Sequence, residues 1–286
     1  MPHRPSPTVR ARRLRMELSR LRQESGHTLQ QVARASNSAF NASTVGRWET
    51  GDRVPRQGDL RVLLDIYGVH GERREALEKL AREAKQRGWW HPHRDMLKAG
   101  FGLYLGLEAE AATLSTFQAQ LIPGLLQTPA YTRATVRALL QEGWDHSDQV
   151  IEMRKVRQER LTSDDPLTLW VVLDEAVLRR RIGGAAVMRE QLNHLREAAK
   201  LPNVTLQVIT NDAGAHAGLQ GSFYMLDFPD PLDPGVVYLE QAMGGLALEG
   251  EDEIRRYTLM FGNLTAMALS PEESVDYFAQ VAAELQ

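Results

Sequence analysis

Ser43, Thr44 and Arg47 are the residues of this chain best suited to reading the edges of nucleic-acid bases. On a helix, positions i, i+1 and i+4 fall close to one face, so two hydroxyls and a guanidinium would be presented together. Hydroxyls can pair with several base edges. A guanidinium can grip guanine O6 and N7 with two parallel bonds, a contact worth about 1–3 kcal/mol of discrimination. Four further groups suit phosphate oxygens. Thr28 and Gln30, at the start of a preceding helix, would act through backbone amides and side chains, and Arg53 and Arg56 would act from the loop that follows. For those two arginines the plain alternative is a solvated surface position.

Two short helices joined by a turn would place these groups. Thr28 can N-cap a helix whose apolar positions Leu29, Val32 and Ala33 share a face. The polar stretch Asn37 to Asn41 turns the chain, and a second helix starts near Ala42 or Ser43 with Val45 and Trp48 inward. That leaves Ser43, Thr44, Gly46 and Arg47 outward. Glu49 ends the pattern, and Gly51 supplies the positive-φ stop that helices commonly use. Taken alone, the pattern is also that of any helical hairpin with a polar face.

Charge distribution favours the nucleic-acid reading. The chain carries 34 Lys+Arg against 37 Asp+Glu, a net of -3. Residues 1–87 hold 18 basic and 10 acidic side chains, while 88–286 hold 16 and 27, so +8 is followed by -11. A basic head gains affinity by releasing counterions from phosphates, and an acidic body stays away from them.

At 286 residues there is room for two domains and a sizeable core, and 43% hydrophobic with 25% charged residues is an ordinary globular composition. Zero cysteines exclude disulfides, thiolate metal sites and cysteine nucleophiles. No apolar run approaches the roughly 20 residues that span a bilayer. The basic start MPHRPSPTVRARRLR lacks the apolar segment of a secretory signal, and its prolines suit a flexible arm. The expected location is cytoplasmic and nucleoid-associated, with no membrane partner.

The expected architecture is an all-α amino-terminal helix-turn-helix bundle followed by an α+β domain with a mixed sheet. Residues 1–71 form the bundle, with a first helix over Val9 to Glu24 and a fourth over Asp59 to Tyr67 burying Leu60, Leu63 and Leu64. A charged connecting or dimer-forming helix covers 72–87, with Ala76, Leu77, Leu80 and Ala84 on its apolar side. Residues 88–286 make the second domain, and Trp89 and Trp90 act as packing anchors at its start. Within it, strands are expected over Thr113 to Leu121, Leu167 to Asp174, Val204 to Ile209, Ser222 to Phe228 and Val236 to Gln241. Helices are expected over Ala130 to Gln141, Asp148 to Leu161, Ala186 to Lys200, Gly250 to Met260 and Ser270 to Leu285.

Thr28, Val32, Ala33, Val45, Arg47, Glu49 and Gly51 resemble the helix-turn-helix of the phage-repressor-like (Cro/C1, or xenobiotic-response-element) family. The stretch Leu121-Ile122-Pro123-Gly124-Leu125-Leu126-Gln127-Thr128-Pro129-Ala130-Tyr131 is similar to the domain that follows it in actinobacterial regulators of the WhiJ type. Arg157-Gln158, Arg160-Leu161, Glu175, Leu178-Arg179, Met188-Arg189 and Gln191-Leu192 also match, so the resemblance spans nearly the whole chain. It implies a transcriptional regulator, often antitoxin-like and encoded beside a small partner protein, whose second domain has no settled activity. It also implies that Arg22 and Glu49 form an ion pair tying the first helix to the third. From Val32 to Glu49 this chain is about two residues longer than the family's usual spacing, and the usual glycine of the turn is absent.

Enzyme signatures are missing: there is no G-x-S-x-G elbow, Walker loop, H-E-x-x-H or dinucleotide fingerprint. Asp174 and Glu175 with His194 or His216 could form an acid–base site, although strand-end carboxylates more often cap or pair with arginines. His91 and His93 with Asp95 have the chemistry of metal ligands, but Pro92 spoils their spacing and no fourth ligand is evident, so no metal and no cofactor is expected. Arg179, Arg180 and Arg181 could take an anion or an acidic partner, or simply be a solvated helix end. The glycine-bearing loop Asp212 to Gly221 could cover a pocket or merely connect two strands. The favoured reading is a homodimer on a double-stranded DNA operator with a small protein partner on the acidic domain. A small-molecule effector and an enzyme with an autoregulatory DNA-binding head are the alternatives.

Overall fold

The computed structural model describes residues 7–51, 53–86, 88–139, 146–230, 233–242 and 244–285, and the side chains of 7 and 94–96 are set apart from it. The proline-bearing arm with Pro2 and Pro5, the loop residue Asp52, and Arg87 and Gln141 at the ends of two expected helices lie outside the described residues, as does the Asp95 side chain. The chain divides into two compact units after His91.

In the first unit, α1 (Pro7–Glu24), α2 (Leu29–Ala35), α3 (Ala42–Thr50), α4 (Gln57–Ile66) and α5 (Gly71–Glu83) surround one core. The α1 stripe Leu14, Leu18 and Leu21 packs there with Val32, Val45, Trp48 and the α4 residues Leu60, Leu63 and Leu64. These positions recur at three and four residues, as one helical face requires. The expected connecting helix behaves differently: α5 stops at Glu83 and gives Leu77 and Ala81 to the bundle's core. Its buried stripe is Leu77, Ala81 and Ala84, whereas Ala76 is exposed because it lies a full helical step off that face.

The second unit begins with α6 (Phe101–Glu110) and β1 (Thr113–Gln118), then α7 (Pro129–Leu139) and α8 (Ser147–Gln158). Next come β2 (Thr168–Asp174), α9 (Glu175–Arg179), α10 (Ala185–Ala198) and β3 (Val204–Ile209). β4 (Phe223–Asp227), β5 (Val236–Gln241), β6 (Gly244–Leu248), α11 (Glu251–Met267) and α12 (Pro271–Glu284) complete it. Among the described residues the sheet runs β3-β2-β1-β4-β5-β6, with β1, β2 and β3 mutually parallel and β4, β5 and β6 added antiparallel. The fold is therefore an all-α bundle followed by α+β with a mixed sheet, as the sequence predicts. β2 is interior and buries Leu169, Val171, Val172 and Leu173, which explains its nearly continuous apolar run.

One sheet face packs Phe117, Val172, Phe223 and Val237 against Phe261 and Leu264 of α11. The β3 edge is not left open. Val208 accepts a backbone bond from Leu269 (2.9 Å), and its own amide donates to Ser274 Oγ (3.0 Å), so α12 seals it.

Candidate nucleic-acid interface

Thr28 caps α2 reciprocally with Gln31: Gln31 N donates to Thr28 Oγ1 (3.2 Å) and Thr28 N donates to Gln31 Oε1 (2.8 Å). The Thr28 amide is thus consumed, which leaves its exposed hydroxyl proton for an outside acceptor. Gln30 is exposed one residue into the helix.

The lengthened turn solves its missing glycine with two left-handed residues, Asn37 (φ 50) and Ser38 (φ 67). Asparagine tolerates that region better than most residues, and Ser36 fastens the turn by accepting from Phe40 N (3.4 Å) while donating to Ala33 O (2.7 Å). The turn is not wholly polar. Phe40 is buried and meets Trp48 edge-on with ring centroids 4.9 Å apart.

Asn41 then N-caps α3, its Oδ1 accepting from Thr44 N (2.8 Å) and Thr44 Oγ1 (2.9 Å). Thr44 therefore has its proton engaged and lone pairs to offer, and Arg47 Nη2 approaches one of them at 3.5 Å. Arg47 is half-buried, with Nε sealed from solvent and, among the described residues, without a partner, so its terminal amino groups are the outward part of the fork. Ser43 is exposed beside it. Val45 and Trp48 point into the core, as the spacing requires. The helix ends at Gly51 (φ 92), where a Cβ would stand 2.9 Å from Arg15 Cδ.

Arg22 holds the other end of α3. Nε donates to Glu49 Oε1 (2.7 Å), Nη2 to Oε2 (2.9 Å) and Nη1 to the His27 carbonyl (3.0 Å). The hydrogen bonding that Arg22 donates to Glu49 raises the pKa of Arg22 against the cost of burial. Tyr67 is pushed up by burial and then by the Glu49 charge. On the following loop, Arg53 N donates to Arg47 O (3.3 Å), so the loop folds back on α3. Arg53 and Arg56 are both exposed, and Arg56 stands at the N-cap of α4 without capping it through its side chain. The fold thus gathers Ser43, Thr44 and Arg47 on one short helix, with Arg53 tied to that helix's end. Sequence reasoning missed Phe40 and Asn41. Asn41 carried a usable signal, being an asparagine immediately before a helix.

The second unit holds a polar network built from the motif residues. Gln127 donates to Ile122 O (2.6 Å), Gln158 to Gly124 O (3.2 Å) and Gln127 O (2.9 Å), and Gln191 bridges Thr128 N and Leu126 O at 2.7 and 2.6 Å. Beside it Arg157 grips Glu108 side-on at 2.6 and 2.7 Å, and Tyr104 donates to the same carboxylate at 2.7 Å. Arg160 caps the carboxyl end of α6 through the Glu108, Ala109 and Ala111 carbonyls. These groups nail a loop that has no regular ladder of its own.

At the end of β2, Asp174 N-caps α9 through Ala176 N (2.9 Å), and its second oxygen lies 3.4 Å from Nε2 of the buried His216. Glu175 has partners of its own, Arg179 and the Asn211 amide. Burial opposes its ionisation, but the Asn211 amide (2.8 Å) and Arg179 (2.7 Å) hold its pKa below the usual value. His194 is exposed on α10 and has no contact with Asp174 among those the structure gives. Arg179 also binds Glu284 and the Tyr277 hydroxyl (3.0 Å), joining α9 to α12, while Arg180 and Arg181 are exposed. Trp89 and Trp90 meet edge-on, 6.0 Å apart. Among the described residues no group of three or more His, Asp or Glu could hold a metal ion, and no helix is long and apolar enough to cross a membrane.

Two family models match the chain: a helix-turn-helix domain over residues 13–77 and the domain of unknown function DUF5753 over residues 101–280. The chain belongs to the DUF5753 family. The buried network around Gln127, Arg157 and Gln191 lies wholly inside the DUF5753 region, and α2 and α3 lie inside the helix-turn-helix match. The helix-turn-helix domain marks a DNA-binding regulator in front of the DUF5753 domain. No curated protein and no solved structure matches the chain.

Proposed function

We propose that this protein is a sequence-specific transcriptional regulator of the phage-repressor-like type. In this reading Ser43, Thr44 and Arg47 of α3 meet base edges in the major groove. Thr28, Gln30, Arg53 and Arg56 hold phosphates on either side. The observation that carries the reading is the division of α3 itself. Val45 and Trp48 are locked into the core and Glu49 is clamped by Arg22, while Ser43, Thr44 and the fork of Arg47 remain outward. A helix held so firmly from behind can present its polar face without further ordering cost.

One such module covers a single half-site, so the working form is a homodimer on two half-sites spaced by a helical turn of DNA. The DUF5753 domain, acidic and without the basic stripe of the head, is the regulatory part. It engages a small protein encoded nearby, in the manner of WhiJ-type, antitoxin-like repressors of actinobacteria, and the protein works in the cytoplasm on the nucleoid. Exposed Arg180 and Arg181 are its candidate contacts with an acidic partner. The alternative regulator, a small-molecule effector, is favoured by Arg154 of the DUF5753 domain, which has no carboxylate partner among the described residues.

The test is to map genomic fragments bound by the intact protein, with and without the product of the adjacent short gene. A restricted set of sites, altered in occupancy by that product, is expected. Indiscriminate recovery of fragments would remove the sequence-specific reading, and unchanged occupancy would remove the protein partner.

A further inference from the structure

Three arginines, Arg154, Arg157 and Arg160, follow one another at three-residue spacing along α8 and the turn after it. Two are fully answered. Arg157 has the Glu108 carboxylate side-on, and Arg160 sits at the negative end of α6 on three carbonyls. Arg154 has no such answer. Its hydrogen bonds go to neutral groups, Gln127 Oε1 and Thr132 Oγ1 (2.7 Å), and no carboxylate pairs with it among the described residues. Glu240 acts on it electrostatically, but Glu240 is exposed and has Lys98 at 4.0 Å.

We propose that Arg154 anchors an oxyanion site in the DUF5753 domain, taking the carboxylate or phosphate group of a small molecule. Both of its hydrogen bonds are made by Nη1, so the Nε–Nη2 edge, which grips planar and tetrahedral oxyanions with two parallel bonds, is unengaged among the described residues. Gly124 lies beside that edge: a Cβ there would stand at contact distance, 3.5 Å, from Arg154 Nε and closer, 3.2 Å, to Arg157 Nη1. Gln127 Oε1 and Thr132 Oγ1 accept from Nη1 and hold the guanidinium in place, so the anion's donors are those of Arg154 itself.

Energetics point the same way. Burial, and then the like charge of Arg157, lowers the pKa of Arg154 to about 10. Arg157, which is buried, has its own carboxylate; Arg154 is half-buried and has none among the described residues. A half-buried guanidinium with one edge unengaged and no counter-charge among the described residues is placed to take that counter-charge from outside. The site belongs to the DUF5753 domain alone, so it stands or falls separately from DNA recognition.

The test is thermal unfolding of the full chain as wild type, Arg154→Met and Arg157→Met. Chloride is exchanged for inorganic phosphate or acetate at constant ionic strength. In chloride, Arg154→Met should unfold at or above the wild-type temperature, and Arg157→Met clearly below it. Phosphate or acetate at ten times its dissociation constant should raise wild type by about 3 °C and leave Arg154→Met unmoved. The anion that acts tells phosphate from carboxylate. The proposal is overturned if Arg154→Met loses as much stability as Arg157→Met. It is equally overturned if neither anion raises wild type more than Arg154→Met.

Discussion

Glu49, near the end of α3, receives two hydrogen bonds from the Arg22 guanidinium of α1, at 2.7 and 2.9 Å, while the third arm of that guanidinium holds the His27 carbonyl at 3.0 Å. One side chain thereby fixes α1, the turn into α2 and the helix proposed to read DNA. Both partners are largely buried, at 18% and 10% side-chain exposure, so removing one strands the other. Glu49→Ala should therefore cost about 2 kcal/mol of stability as well as DNA affinity, measured by urea unfolding and by operator titration. Lost affinity with unchanged unfolding would move Glu49 from the scaffold to the DNA surface.

The long turn makes its own prediction. Asn41→Ala removes the cap that also orients Thr44, and should destabilise the bundle by about 1 kcal/mol. Phe40→Ala empties the space against Trp48 and should cost about 3 kcal/mol. If Phe40→Ala were as mild as Asn41→Ala in chemical denaturation, the turn would not be part of the core.

Much of this was legible in the sequence, and the failures have physical causes. Helical stripes such as Leu14, Leu18, Leu21 and the apolar run of β2 repeat with the period of their element, so they announced themselves. β6 did not. Its sequence GGLAL has two glycines and no β-branched residue, and it forms because β5 offers it a ladder. α6 was missed because its buried residues, Tyr104 through Glu108, are consecutive rather than spaced along one stripe. Phe40 was hidden in a polar stretch since a single inward residue has no period. Spacing placed Ser43, Thr44 and Arg47 on one face, yet nothing local could reveal that Arg157 would find Glu108 from another helix 49 residues away.

That buried pair should dominate the stability of the DUF5753 domain. Glu108→Ala leaves Arg157 enclosed without its counter-charge and the Tyr104 hydroxyl without an acceptor, at an expected cost of about 3–5 kcal/mol. Calorimetry of the full chain would show it. A shift within the range of ordinary surface substitutions would contradict the assignment.

Glu175 sets an acid limit. Its pKa is lower folded than unfolded, so its contribution is complete above the ordinary carboxylate range and disappears as pH falls through the lower, folded value. Wild type should therefore lose stability on acidification below that range, and Glu175→Gln should be less stable than wild type at neutral pH but lose less. Urea midpoints at pH 7 and pH 3 decide it, and parallel losses in the two proteins would exclude this residue as a cause.

The central claim is that Arg47 reads bases while Arg53 holds phosphate. The most direct measurement is operator affinity against salt concentration for wild type, Arg47→Ala and Arg53→Ala, each on the selected site and on a scrambled one. Arg53→Ala should weaken both sites alike and reduce the salt slope by about 1, while Arg47→Ala should cost about 1–3 kcal/mol on the selected site and little on the scrambled one. Absence of a saturable complex at low salt, or two variants that bind both sites like wild type, would contradict it.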